Sequence, residues 1–131
     1  MNILFVYFDK IIQNDNLYVK SLCEEIRRQN GSIECSIDAF WNSTRKYDIV
    51  HIQFPEVIFK WRQPSDNGLK ALRQRIDRLK SMGTKIVYTR HDAIPHYCTD
   101  KNKLELYRIV ETQSNAIIHL GEYSRQEFAR I

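Results

Sequence analysis

The sequence predicts an α/β protein, a three-layer α/β/α sandwich around a mostly parallel sheet. Two observations carry this. Short apolar runs rich in β-branched and aromatic residues alternate along the chain with amphipathic helical segments. The runs are nearly continuous in apolar character rather than alternating, as expected of strands buried on both faces. Strands separated by helices imply crossover connections and parallel pairing.

Each element has its own signal. Residues 2–8 (NILFVYF) form the first strand. A helix follows over 15–30, with Val19, Leu22, Cys23 and Ile26 on one face, Asn14 or Asp15 to cap it and Asn30-Gly31 to end it. Residues 32–37 make a short strand, and 47–54 (YDIVHIQF) the next, closed by Pro55. The second strong helix spans 65–82. Its stripe is Leu69, Leu72, Ile76, Leu79 and Met82, Ser65 or Asp66 caps it, and Gly83 follows its end. A strand at 85–89 leads into a polar loop, 90–96. Residues 101–114 are helical with Leu104, Tyr107, Ile109 and Val110 as apolar members, and 116–120 is the last strand. Gly121 turns into a further helix that has only begun at Ile131, which suggests a fragment of a longer protein.

The chain of 131 residues fits one domain, 1–131. With 43% hydrophobic and 27% charged residues, a packed core is expected rather than disorder. No apolar run approaches the ~20 residues of a membrane span, and no signal-peptide pattern precedes Ile3-Leu4-Phe5-Val6. Cys23, Cys35 and Cys98 are odd in number and scattered, which argues against a disulfide framework and for a cytoplasmic setting. The net charge is +4, yet eight basic residues stand against two acids between Lys60 and Lys85. Lys70, Arg73, Arg78 and Lys80 lie off the apolar stripe of their helix. They offer a face that anionic lipid could attract, or simply a solvated one.

Ligands of open parallel sheets bind beyond the carboxyl ends of the strands. Candidates there are Asp9 and Lys10; His51, Gln53 and Glu56; Arg90, His91, Asp92 and His96; and His119, Glu122 and Ser124. His51 sits mid-strand and reads either as a buried structural histidine or as a functional one; His119 reads the same two ways. His91 ends a strand beside Asp92, a carboxylate able to orient its ring or raise its pKa. His96 and Glu56 read as plain loop residues or as ligand contacts. The 9–14 loop has no glycine, and neither G-x-G-x-x-G nor a P-loop is present. There is no G-x-S-x-G. His91, His96 and Cys98 are close in sequence but lack the one-face spacing of a helical ligand pair, so no metal is expected.

Three segments together bear a resemblance: YDIVHIQFPE (47–56), GTKIVYTRHDAIPH (83–96) and NAIIHLGEYS (115–124). In this order and spacing the chain resembles the N-terminal, acceptor-side domain of GT-B-fold glycosyltransferases of the family 4-like group, whose pattern runs roughly D-[IV]-V-H-x-[QH], G-x-K-[IV]-V-x-T-x-H-[DN]-x-x-P-H and A-D-x-[IV]-[IV]-x-x-S. The resemblance implies a Rossmann-like domain of a peripheral enzyme of polysaccharide or glycoconjugate assembly. It would be cytoplasmic, at the inner face of the plasma membrane where the acceptor is lipid-linked. It implies His91 as the catalytic residue near the transferred sugar, with His51, Glu56, Asp92, His96, Asp9 and Ser124 lining the substrate side. It implies a nucleotide sugar as donor substrate without a metal or other cofactor. The partners it implies are a sugar or lipid-linked acceptor, a C-terminal donor domain that this chain lacks, and an anionic membrane surface met by Lys70, Arg73, Arg78 and Lys80. Alone the chain is expected to be inactive. Its glycine-free first loop departs from the family pattern, in which backbone amides meet the donor diphosphate.

A reading of another class is a non-catalytic α/β module that docks on a membrane or on a partner chain, such as one half of a split transferase. Nucleic-acid binding is not expected, because the aromatics fall in strands rather than among the cations.

Overall fold

Five strands form one sheet in the order β2-β1-β3-β4-β5, every neighbouring pair parallel. They are β1 (Ile3–Val6), β2 (Ile33–Cys35), β3 (Ile49–Ile52), β4 (Lys85–Arg90) and β5 (Ala116–His119). Four helices connect or flank them: α1 (Leu17–Asn30), α2 (Ile37–Asn42), α3 (Asp66–Ser81) and α4 (Lys101–Gln113). A 3-10 turn, Pro55–Phe59, follows β3. The computed structural model describes residues 1–8, 17–30, 32–90 and 100–120. The expected α/β sandwich is therefore observed, with a sheet that is parallel throughout.

The inner strands β1, β3 and β4 are largely buried on both faces because both faces are covered. Alternate residues of β1 enter different cores. Leu4 and Val6 join Val50, Ile52, Ile86 and Tyr88 in the larger one, which is closed by α2, α3 and α4. Phe5 and Tyr7 point the other way, toward Val19 and Cys23 of α1. Fully burying one such side chain stabilises the fold by ~1.5–3 kcal/mol, so the two-sided pattern is what commits β1, β3 and β4 to the sheet interior.

The helices begin where the sequence supplies an acceptor for their first amides. Ser65 Oγ accepts from Gly68 N at 3.0 Å, and Ser36 Oγ from Ala39 N at 2.9 Å. Asp100 Oδ1 accepts from Asn102 N at 2.6 Å and Lys103 N at 3.3 Å. Gly83 ends α3 at φ +88°, a backbone angle that glycine alone adopts without strain.

Three details differ from the sequence expectation. Residues 37–42 form α2 instead of a mere connection, with Ile37, Ala39 and Phe40 buried. Pro55 ends β3 but also opens the 3-10 turn, where its fixed φ suits a first helical position. In α4, Leu104 is 40% exposed and Leu106 is fully buried. At 100° per residue Leu104 lies about 160° round the helix from Leu106, so only one of the two can face the core. The expected helix cap at Asn14 or Asp15 and the helix after Gly121 lie outside the described residues.

Candidate functional site

The sheet has a switch point between β1 and β3. From β1 the chain leaves toward β2, then crosses back to β3 on the other side. Connections that diverge in this way leave a crevice at the carboxyl ends of the strands. The described residues at that edge are Phe8 after β1, Ser36 to Asp38 after β2, Gln53 to Arg62 after β3, Arg90 at the end of β4 and His119 at the end of β5.

The fold assembles the three motif segments. β3, β4 and β5, which carry their apolar halves, are consecutive neighbours in the sheet. His51 pairs in register with Val87, and Arg90 with His119. His51 is 7% exposed, stacks against Phe5 at 5.1 Å between ring centroids, and its Nε2 lies 2.8 Å from Thr89 Oγ1. It thus joins β3 to β4 through side chains. Arg90 is 1% exposed, and its Nε donates to Glu111 Oε1 of α4 at 3.2 Å. This guanidinium is buried inside the protein with a carboxylate facing it, as burial of a charge requires. Glu56, in the 3-10 turn, accepts from the Tyr107 hydroxyl of α4 at 2.7 Å. Of the sequence candidates, then, His51 and Glu56 lie at the carboxyl half of β3 and just beyond it. Asp9, His91, Asp92, His96 and Ser124 lie outside the described residues.

The basic residues of α3 do not form one free face. Arg73 donates to Glu105 of α4 at 2.5 Å, and Lys80 Nζ reaches Gln113 Oε1 at 3.5 Å. Arg75 donates to the carbonyls of Phe40 and Ser43, tying α3 to the end of α2. Lys70 and Arg78 remain exposed, with Asp77 exposed on the same helix.

Sequence reasoning missed a second feature of the edge. Phe8, Ser36, Ile37, Asp38 and Lys60 line an open pocket of about 190 Å³. Lys60, which closes the 3-10 turn, has φ 55° and ψ 42°, and the next residue, Trp61, has φ 64°. Two successive non-glycine residues are held in the left-handed region, at a cost of ~1–2 kcal/mol each. Backbone hydrogen bonds impose the turn: Lys60 N to Val57 O at 2.9 Å, Trp61 N to Glu56 O at 3.0 Å, and Arg62 N to Phe59 O at 3.0 Å. No Gly, Asn or Asp announces such a turn in the sequence. The only available signal was a tryptophan set between two cations, Lys60 and Arg62.

The cysteines are also closer than their spacing suggested. Cys23 Sγ of α1 and Cys35 Sγ of β2 lie 3.5 Å apart. The hydrogen bond between them holds Cys35 below the ordinary thiol range, while the same bond, together with burial, pushes Cys23 above it.

No helix among the described residues is long and apolar enough to cross a membrane, and these residues contain no group of three or more side chains arranged to hold a metal ion. Neither a protein-family model, a curated protein nor a solved structure matches the chain.

Proposed function

We propose that this chain is the acceptor-side, Rossmann-like domain of a nucleotide-sugar-dependent glycosyltransferase acting in polysaccharide or glycoconjugate assembly. The observation that supports the reading most is the adjacency of the three motif segments. Residues far apart in sequence come to lie on β3, β4 and β5, side by side and parallel, with the carboxyl ends of the three strands on one edge. That is the edge where an open parallel sheet offers its ligand site.

In this reading a second domain or chain binds the donor, and its cations and helix N-termini stabilise the departing diphosphate. His91, the residue after Arg90 in sequence, works near the transferred sugar. Asp92, His96, Asp9 and Ser124 contribute to the substrate side, and His51 and Glu56 fix the strand and turn on which the acceptor rests. The test uses the natural-length protein together with whatever chain or domain binds the donor. Release of nucleoside diphosphate from a set of nucleotide sugars is measured for wild type and for His91→Ala. Turnover should fall by about 10²-fold or more. Consumption of no nucleotide sugar, or unchanged turnover in the variant, would overturn the reading.

A second reading, a module that docks on anionic membrane or on a partner chain, is favoured by Lys70 and Arg78. Both are exposed on α3 with no ion-pair partner among the described residues.

A further inference from the structure

We propose that Cys23 and Cys35 form a site of reversible oxidation, closed to a disulfide by a small hydroperoxide, with Cys35 as the attacking thiol and Cys23 as the resolving one. The pair uses none of the residues of the glycosyltransferase reading and stands on three observations.

The first is distance. The two sulfur atoms lie 3.5 Å apart, in hydrogen-bond contact, although their positions are 12 apart in sequence. Both are free thiols. Cys23 belongs to the core that α1 shares with Phe5 and Tyr7, and Cys35 packs against that same core from β2. The fold itself thus brings the reacting atoms together. The second is access. Cys23 is 1% exposed, whereas Cys35 is only partly buried and ends β2, an edge strand of the sheet. Its neighbour Ser36 lines the open pocket beyond the strand. An oxidant arriving from solvent meets Cys35 first, with Cys23 behind it.

The third is charge. The hydrogen bond with Cys23 favours the thiolate at Cys35 most, burial opposes it, Arg27 on α1 supports it and Glu34 opposes it; the net effect holds Cys35 below the ordinary thiol range. The thiolate is the nucleophile in thiol oxidation. Cysteine packs like any small apolar residue, and packing alone asks for neither the contact nor the asymmetry. A scattered, odd set of cysteines argues against a framework of disulfides but leaves room for one reversible bond, the type that occurs in reducing compartments.

The chemistry balances in two steps. The Cys35 thiolate attacks one oxygen of the peroxide, the O–O bond breaks, and the departing hydroxide takes up the proton that Cys35 had lost. Cys35 becomes a sulfenic acid. The Cys23 thiol then gives up its proton and its sulfur attacks the Cys35 sulfur. The S–O bond breaks, and the hydroxide leaves with that proton as a second water. Two thiols are oxidised to one disulfide and one peroxide is reduced to two waters. The product staples α1 to β2 directly before Ser36, the cap of α2.

The experiment takes the full chain, as wild type and as Cys98→Ser, through treatment with hydrogen peroxide. Free thiols are counted and linkages are mapped on unreduced peptides. In both proteins Cys23 and Cys35 should lose their thiols together, become linked within one chain and recover with dithiothreitol. The oxidised Cys98→Ser protein should melt ~5–10 °C above its reduced form. In the same background, Cys23→Ala should stop at a Cys35 sulfenic acid that dimedone traps. Cys35→Ala should oxidise at least ~10-fold more slowly than its parent, because only the buried thiol remains. The peptide map decides even where an alanine variant does not fold. Thiols that survive peroxide sufficient to oxidise free cysteine would overturn the site. So would a link to Cys98 or between two chains in place of the Cys23–Cys35 bond, or equal oxidation rates in Cys35→Ala and its parent.

Discussion

Tyr47 shows how one side chain ties local chemistry to stability. Its ring is buried beside Val50 and Ile52 in the larger core, and its hydroxyl donates to Glu34 Oε2 at 2.5 Å. Burial first, and the bond to Glu34 second, raise the phenol above its ordinary value. The folded state therefore favours the neutral form. The stability this contributes is fully present below the unfolded value of about 10 and is lost as pH rises through the folded value. Urea midpoints should accordingly drop between about pH 9 and 11 for wild type. Tyr47→Phe should start lower by ~1 kcal/mol for the missing hydrogen bond and fall less steeply over the same window. Equal slopes would show that this phenol does not titrate differently in the two states. His51 and Glu56 illustrate the same economy at the edge. A hydroxyl bonds to each, Thr89 to His51 and Tyr107 to Glu56, so β3 is tied to β4 and the 3-10 turn to α4 through side chains.

Elements were legible where one period governed them. The α3 stripe Leu69, Leu72, Ile76 and Leu79 is buried as the spacing predicts, because a single face meets the sheet and α4. α4 was misread at one position: Tyr107, Ile109 and Val110 are buried as expected, but the fourth core residue is Leu106 rather than Leu104. A broad arc blurs a four-residue pattern, and Leu104 then looks as plausible as Leu106. Leu106→Ala should cost about 2–5 kcal/mol in chemical denaturation, whereas Leu104→Ala should stay within about 0.5 kcal/mol. The reverse order would mean that α4 is rotated from the orientation described. α2 was missed because six residues show less than two turns of periodicity. The left-handed pair Lys60 and Trp61 was missed for a different reason: short-range backbone hydrogen bonds within the 3-10 turn impose it on residues that do not favour that conformation, with no Gly, Asn or Asp to mark it.

At the scale of the molecule, charge is distributed less freely than composition suggests. Of the basic residues expected on one face of α3, Arg73 and Lys80 are turned to α4. Electrostatic docking would therefore fall on Lys70 and Arg78. If the docking reading holds, reversing these two to Glu should weaken sedimentation with vesicles of phosphatidylserine and phosphatidylcholine by at least about thirtyfold, with the Arg73–Glu105 pair undisturbed. Unchanged binding would exclude this face as the contact. The fold class, by contrast, was legible from pattern alone, since apolar strands and intervening helices admit few other arrangements. The strand order was not, because pairing between distant strands leaves no trace in any short window.

That strand order has a consequence for the chain as it is made. β1 is synthesised first but sits in the interior of the sheet, between β2 and β3. At ~5–20 residues per second, the 46 residues that separate Val6 from its register partner Ile52 take about 2–9 s to emerge. Throughout that interval one side of a fully apolar segment waits without its neighbour. The N-terminal strand is thus the part of the nascent protein most in need of protection, and it can be completed only after more than a third of the chain has left the ribosome.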